Sequence, residues 1–365
     1  MALEIKLSHS KTNKIKVTLT NKYAYSIKLL KWNTPFDAIV LNCFDIKLQD
    51  EEPCKYKGPY AKRIFKKTKS TIEIKSKESI TQEINLSDFY HLNAEALYSV
   101  SLKYNDVLVI KGEKKSKLDD FKPIKLKSNI VKAHLYPTNR INKYFNKINN
   151  NTIPNKKRIK TIDAIPSCPP NNICYLSYND GGECYRTKYL SFPRIYPNNN
   201  SQTYILKNDY LNLNKKEILK KIKIKNDSLY KKWFGVYNNT RSSHVKKVIN
   251  GIFSNRICKN FEMFITNTNC EDDTIAWFWP SPDINEYYHR LGVCYKNYFK
   301  LKSNGFNSKP GTLAHELSHG YGKTNSNLKE IYGIKNCQNL ARKTPEYAIR
   351  NADNYQYFLE EYLNF

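Results

Sequence analysis

No stretch of this chain is apolar enough to span a bilayer, and its opening, Met1-Ala2-Leu3-Glu4-Ile5-Lys6-Leu7, lacks the apolar core of a secretory signal. Acid is also in short supply. Against 61 Lys and Arg stand 33 Asp and Glu, a net charge of 61 − 33 = +28. Such an excess ordinarily points to nucleic acid or an anionic surface. Here the basic residues are spread along the whole chain amid abundant Asn, Ile and Tyr, and no nucleic-acid-binding motif accompanies them. The charge reads as a compositional bias that can steer acidic proteins towards a site, and a polyanion- or nucleic-acid-binding protein is the remote alternative. Histidine is sparse, at seven residues, and five of them (His9, His91, His134, His244 and His289) sit in no ligand spacing.

The remaining two histidines lie in Gly311-Thr312-Leu313-Ala314-His315-Glu316-Leu317-Ser318-His319, an H-E-x-x-H pattern. Two imidazoles four residues apart fall one turn apart on one helix face and can grip a single Zn²⁺, while Glu316 between them reaches a metal-bound water as general base. The flanks suit a helix capped by Thr312 after Pro310-Gly311 and ended by Gly320 or Gly322. Hydrolysis needs a third protein ligand and an open position. A continuation x-x-G-x-x-H fails, because position 325 is Asn325. A distant glutamate on a second helix has candidates in Glu346, Glu360 and Glu361, none in a motif of its own. A short loop with an acid before Tyr332-Gly333 is the third option.

Residues 1–135 read as β structure. Lys14–Thr20 and Thr71–Lys75 alternate with period two, and runs at Leu97–Lys103 and Val107–Lys111 are split by an Asn105-Asp106 turn. Seven or eight such strands predict an antiparallel sandwich of immunoglobulin-like type, without a catalytic constellation of its own. Residues 136–205, rich in Asn, Pro and Lys, read as a connector, with Lys156-Lys157-Arg158 a solvated basic run or a processing point. From 206 helices take over. One is expected from Asn214 through Ile218, Leu219 and Ile222 towards Trp233, another from Ser242-Ser243, a third over Ile331–Ala341, and a last one after Thr344-Pro345 with Tyr355, Phe358, Leu359 and Tyr362 on one face. An α+β chain follows, with a mainly helical zincin-type domain over 206–365.

Four ordered segments resemble the deuterolysin, or aspzincin, family of metalloendopeptidases, and most of all its peptidyl-Lys branch. They are Lys232-Trp233-Phe234-Gly235 with Asn239-Thr240-Arg241, the metal helix 311–319, Tyr332-Gly333, and Asn351-Ala352-Asp353-Asn354-Tyr355-Gln356-Tyr357-Phe358. Lys31–Phe36 and Gly58-Pro59-Tyr60-Ala61-Lys62-Arg63 resemble the β-rich domain that precedes the core in some relatives, where it is a pro-region or a binding module. The resemblance implies a secreted zinc endopeptidase with one Zn²⁺, protein or peptide substrates, and a monomeric state. It implies His315 and His319 as ligands, Glu316 as base and Tyr332 as oxyanion donor.

The family's third ligand is an Asp three residues before the loop's Tyr; here that position is Lys329, and the loop is one residue longer. A protonated Lys cannot ligate zinc. Either Glu330 supplies the oxygen, or Asn327 does, or only two protein ligands remain and the chain is a pseudo-protease that binds a partner protein through its cleft. A carboxylate is the better zinc ligand, which favours Glu330. Peptidyl-Lys relatives hold the Lys after the cut bond with two acids. Asp353 matches the first, whereas the second is Gln356, so one charge is missing and a broader lean towards Lys or Arg is expected. A Lys-directed protease would meet many sites in its own sequence, protected only by a rigid fold. Of the nine cysteines, Cys270 and Cys294 match the family's disulfide around Trp277-Phe278-Trp279, while two of Cys168, Cys174 and Cys184 can staple a loop.

Overall fold

The computed structural model describes residues 3–37, 42–48, 52–112, 117–126, 128–137, 194–196, 200–213, 221–253, 261–266, 270–280, 289–320, 324 and 329–364. The Lys156–Arg158 run, the Cys168–Cys184 cluster, Asn214, Ile218, Leu219, Asn325 and Asn327 lie outside them.

The expected mixture of helices and antiparallel sheets is present. Strands β1 (Leu3–Lys11), β2 (Lys14–Asn21), β3 (Ile27–Leu30), β4 (Phe44–Leu48), β5 (Tyr60–Arg63), β6 (Thr71–Ile74), β7 (Ser79–Asn85), β8 (Ala96–Leu102), β9 (Asp106–Lys111), β10 (Lys122–Lys125) and β11 (Val131–Leu135) fill the N-terminal region. Ten of these form three antiparallel sheets, ordered β1-β2-β7, β10-β9-β3-β6 and β11-β8-β4. The alternation read from the sequence is real. In β1 and β2, Leu3, Ile5, Leu7, Ile15, Val17 and Leu19 turn inward and are buried, as a period of two requires when one face meets a core.

The eleventh strand pairs elsewhere. β5 leaves its neighbours in sequence and becomes the edge of a five-stranded sheet in the C-terminal half, ordered β12-β13-β15-β14-β5. Its other members are β12 (Arg194–Tyr196), β13 (Phe261–Thr266), β14 (Thr274–Trp279) and β15 (His289–Cys294). β12, β13 and β15 run parallel, whereas β14 is antiparallel to β15 and to β5. β12 lies in the span expected to be connector, because its pairing with β13 is long-range and three residues carry no periodicity of their own. The disulfide Cys270–Cys294 forms as the resemblance implied and ties the approach to β14 to the end of β15.

The helices are α1 (Asn200–Leu213), α2 (Ser228–Phe234), α3 (Asn239–Ile252), α4 (Lys309–His319), α5 (Ile334–Lys343) and α6 (Ala352–Leu363), besides short helical turns. α1 also begins inside the expected connector. α2 is capped by Asp227, whose Oδ1 accepts from Tyr230 N, and α3 by Asn238 rather than starting at Ser242. Thr344 and Pro345 open a single short turn, and α6 starts afresh behind Asn351. α4 is the centre of the C-terminal half. All of its residues are buried, between α6, α1, α3 and the β14–β5 edge. Among the described residues no helix is long and apolar enough to cross a membrane.

Candidate active site

α4 begins earlier than Thr312. Ser308 is its cap, accepting from Gly311 N at 3.0 Å, because Pro310 belongs in a first turn where its missing N–H costs nothing. Gly320 closes it. Glu360 of α6 reinforces the cap. Its Oε1 accepts from Ser308 N (2.8 Å), Ser308 Oγ (2.9 Å) and Gln356 Nε2 (3.0 Å), and its Oε2 from Asn307 N (3.1 Å). Gly311 must pass this carboxylate, since a Cβ built there would lie 1.8 Å from Glu360 Oε1. With four donors holding the carboxylate, Gly311→Ala is expected to cost about 3 kcal/mol as an overpacked site, read as a fall in the thermal unfolding midpoint.

Helical spacing brings His315 and His319 to one face, with Nε2 atoms 3.3 Å apart. Glu330 Oε1 lies 2.9 Å from His315 Nε2 and 3.4 Å from His319 Nε2, and it accepts no hydrogen bond of acceptable geometry. One ligand atom from each of the three residues falls within 4.8 Å of the others. Two imidazole nitrogens and a carboxylate oxygen that lacks a hydrogen-bond partner, all close together and all able to offer lone pairs, describe a donor set shaped for a cation, and two His with one carboxylate is a hydrolytic zinc set. Both rings have neighbours on their far sides. His315 Nδ1 is 2.7 Å from Asp353 Oδ1 as an ion-pair contact, and His319 Nδ1 is 3.3 Å from Thr324 O. These are the outer partners that orient ligand imidazoles.

The described end of the loop bearing Glu330, residues 329–333, is pinned at each residue. Lys329 Nζ turns away to Asp106 Oδ2 (2.9 Å), Asn33 Nδ2 donates to Glu330 O (3.0 Å), and Asn351 brackets Ile331 by accepting from its N and donating to its O, each at 2.9 Å. Gly333, at φ +91°, adopts a left-handed conformation that suits glycine and points its N–H at Asp353 Oδ2 (3.0 Å). Tyr332 Oη lies 2.8 Å from Glu330 Oε2 and 2.6 Å from Ala61 O, so its one proton can serve either. Burial and neighbouring Glu330 hold its phenol far above the ordinary value, so it stays a donor.

The charges are strongly coupled. Burial pushes Glu316 up to about 7, against the pull of His315 and His319. Burial opposes the charging of His315, yet Glu330 and Asp353 raise it to about 9; Glu330 is held well below the usual carboxylate range because its two histidine neighbours outweigh its own burial.

Comparison with known proteins bears on what this arrangement is. The aspzincin family, described as lysine-specific metallo-endopeptidase, matches residues 219–360. An extracellular protease of Aeromonas hydrophila is 24% identical over 354 residues, 95% of this chain and 87% of that protein. A peptidyl-Lys metalloendopeptidase of Armillaria mellea is 32% identical over 134 residues, 36% of this chain and 34% of its own. A peptidyl-Lys metalloendopeptidase of Pleurotus ostreatus is 33% identical over 132 residues, 36% of this chain and 72% of its own. The chain belongs to the aspzincin family of metalloendopeptidases.

In this aspzincin His315, Glu316, His319, Glu330 and Tyr332 come together, whereas Asn327 lies outside the described residues. Asp353 reaches the same centre. Its Oδ1 is shared between His315 Nδ1 and Lys62 Nζ (2.5 Å); burial raises its pKa, but Lys62 and His315 together outweigh burial and draw it down to about 2. Gln356 donates to Glu360 instead, and its Oε1 has no hydrogen-bond partner. Sequence reasoning missed Tyr60, whose ring stacks on His319 at 4.8 Å, and Lys62, both from the N-terminal region. The only signal for them was the familiar look of Gly58–Arg63; nothing local states that β5 joins a sheet formed some 200 residues later.

Proposed function

We propose that this aspzincin is a zinc endopeptidase in which His315, His319 and Glu330 hold one Zn²⁺, Glu316 is the base and Tyr332 the oxyanion donor. The observation that carries the reading is the convergence of three ligand atoms within 4.8 Å of one another, beside a glutamate fixed on the same helix. When bound, Zn²⁺ supplies Lewis acidity that polarises a substrate carbonyl and acidifies water. Glu316, with Oε2 lacking any hydrogen-bond partner, takes the proton of the attacking water and passes it to the leaving amine. Tyr332 donates to the carbonyl oxygen as charge gathers on it. Asp353 offers a buried carboxylate that already holds an ammonium group, which supports a broad lean towards Lys or Arg after the cut bond. Peptides and proteins are the substrates, as in the relatives named peptidyl-Lys metalloendopeptidase. Work outside the cell, where the Cys270–Cys294 bridge persists, goes with this reading.

The test is zinc content after dialysis. Glu330→Ala removes the only carboxylate in the donor set and is expected to lower zinc affinity at least as much as losing an outer partner does, about 10–100-fold, whereas Lys329→Ala leaves it unchanged. Equal zinc in both variants would discard the ligand assignment and favour the pseudo-protease that Lys329 at the family's ligand position suggests.

A further inference from the structure

Every group assigned to chemistry is shut from solvent. His315 and Glu316 are 0% exposed, Glu330 3% and His319 5%. β5 lies directly against them. It is the edge strand of the sheet and runs antiparallel to β14, with Phe278, Trp277 and Ala276 opposite Tyr60, Ala61 and Lys62. Adding an extended segment to a sheet edge is a recurrent way of binding peptides.

The register of that strand is specific. The peptide bond between Ala61 and Lys62 is held at both ends by the groups proposed for catalysis: Ala61 O accepts from Tyr332 Oη at 2.6 Å, and Lys62 N donates to Glu316 Oε1 at 3.0 Å. The oxyanion donor thus sits on the carbonyl of one bond, and the base on its amine. The Lys62 side chain runs inward, 2% exposed, and ends on Asp353 Oδ1, below the cluster. As a stability device this is poor. A buried ion pair is often no better than apolar residues of the same volume, because both charges lose their water. As recognition it has a purpose: the residue after the bond is a lysine, and its ammonium meets the carboxylate proposed to select basic residues. Arg63 then locks the strand, with Nη2 on Asp37 (2.8 and 2.9 Å) and Nη1 on Asp273 (3.1 Å) and Thr274 Oγ1 (2.7 Å).

We infer that Tyr60–Arg63 is a built-in occupant of the substrate cleft, bound in substrate register with Ala61–Lys62 as the bond presented to the site, and that it keeps the enzyme latent towards other peptides. The inference rests on the proposed endopeptidase reading. Latency ends when the strand leaves or when its bond is hydrolysed. In the second case water gives its hydroxyl to the Ala61 carbonyl carbon and its proton to the Lys62 nitrogen, leaving a carboxylate and a new amino terminus.

The test uses the full chain loaded with zinc and a fluorescent peptide, Gly-Pro-Tyr-Ala-Lys-Arg, copied from residues 58–63. Binding is measured by anisotropy in Glu316→Gln, which removes turnover, and in Glu316→Gln combined with Lys62→Ala. Lys62→Met, which keeps the stem's volume, guards against a variant that fails to fold, and circular dichroism confirms folding. Removal of Lys62 is expected to strengthen peptide binding at least about tenfold, because the bound state no longer competes with an anchored strand. With Glu316 intact, hydrolysis of a Lys-containing peptide pool is expected to rise by a similar factor in Lys62→Ala, and an intact-mass fragment beginning at Lys62 in the wild type also supports substrate register. Wild type that stays whole and cleaves the pool as fast as Lys62→Ala would overturn the occupant and leave the endopeptidase standing. Zinc-loaded Lys62→Ala that binds the peptide but cleaves nothing would overturn the endopeptidase and leave the occupant standing.

Discussion

The Glu316→Gln protein is expected to lose peptide hydrolysis by about 100- to 10,000-fold, the range that a positioned general base supplies, while retaining its zinc. The comparison belongs in the Lys62→Ala background, where the cleft is open, with cuts in a mixed peptide pool mapped by mass spectrometry. Glutamine keeps the shape of the side chain and the acceptor for Lys62 N, so the sheet edge is undisturbed; what disappears is an oxygen able to take and return a proton. The residue after each remaining cut in the Lys62→Ala protein reads the selectivity of Asp353. Cuts that persist unchanged in Glu316→Gln would remove Glu316 from the mechanism.

Arg63→Ala is expected to be the most damaging single change to stability, at about 3–5 kcal/mol, because it takes the paired cation from two buried carboxylates at once. The Arg63 side chain is 0% exposed and those of Asp37 and Asp273 2% each. Asp273 Oδ2 additionally accepts from Trp32 Nε1 at 2.8 Å, and Trp32 packs edge-on against Tyr332 at 5.1 Å, so the loss spreads towards the site. Arg63→Lys keeps the charge but cannot fork between two acids, and should recover only part of the loss. Denaturant unfolding of both variants measures this; midpoints equal to wild type would mean that the acids find other partners.

The two predictions draw on parts of the molecule that were unequally legible. The pair His315 and His319 with Glu316 was readable because helical geometry is local: a spacing of four residues fixes a face whatever surrounds it. Glu330 could be narrowed by donor chemistry but not placed by counting, because a loop has no period; Lys329, which counting puts at the family's ligand position, pairs instead with Asp106, more than 200 residues earlier. Period-two strands such as β1 and β2 were readable for the same local reason. β5 was not, since its four residues are all buried and carry no alternation. Asp353 was expected to meet a basic residue, and it does meet one, but that lysine comes from this chain, and the same oxygen also steadies His315. Thr312 was misplaced as a cap because Pro310 was taken to precede the helix when it belongs to its first turn.

The loop that carries Glu330 has fastenings on both sides of the molecule. Asn351 and Asp353 grip it from the start of α6, while Asn33, in the turn after β3, and Asp106 of β9 grip it from the N-terminal region. On the reading proposed for Glu330, ion and N-terminal region therefore share one free energy. Whatever affinity for zinc the docked strands confer, zinc returns to their docking in equal measure, since coupling between two binding equilibria is reciprocal. A chelator then acts on more than the ion: it loosens the hold on residues that never touch the metal.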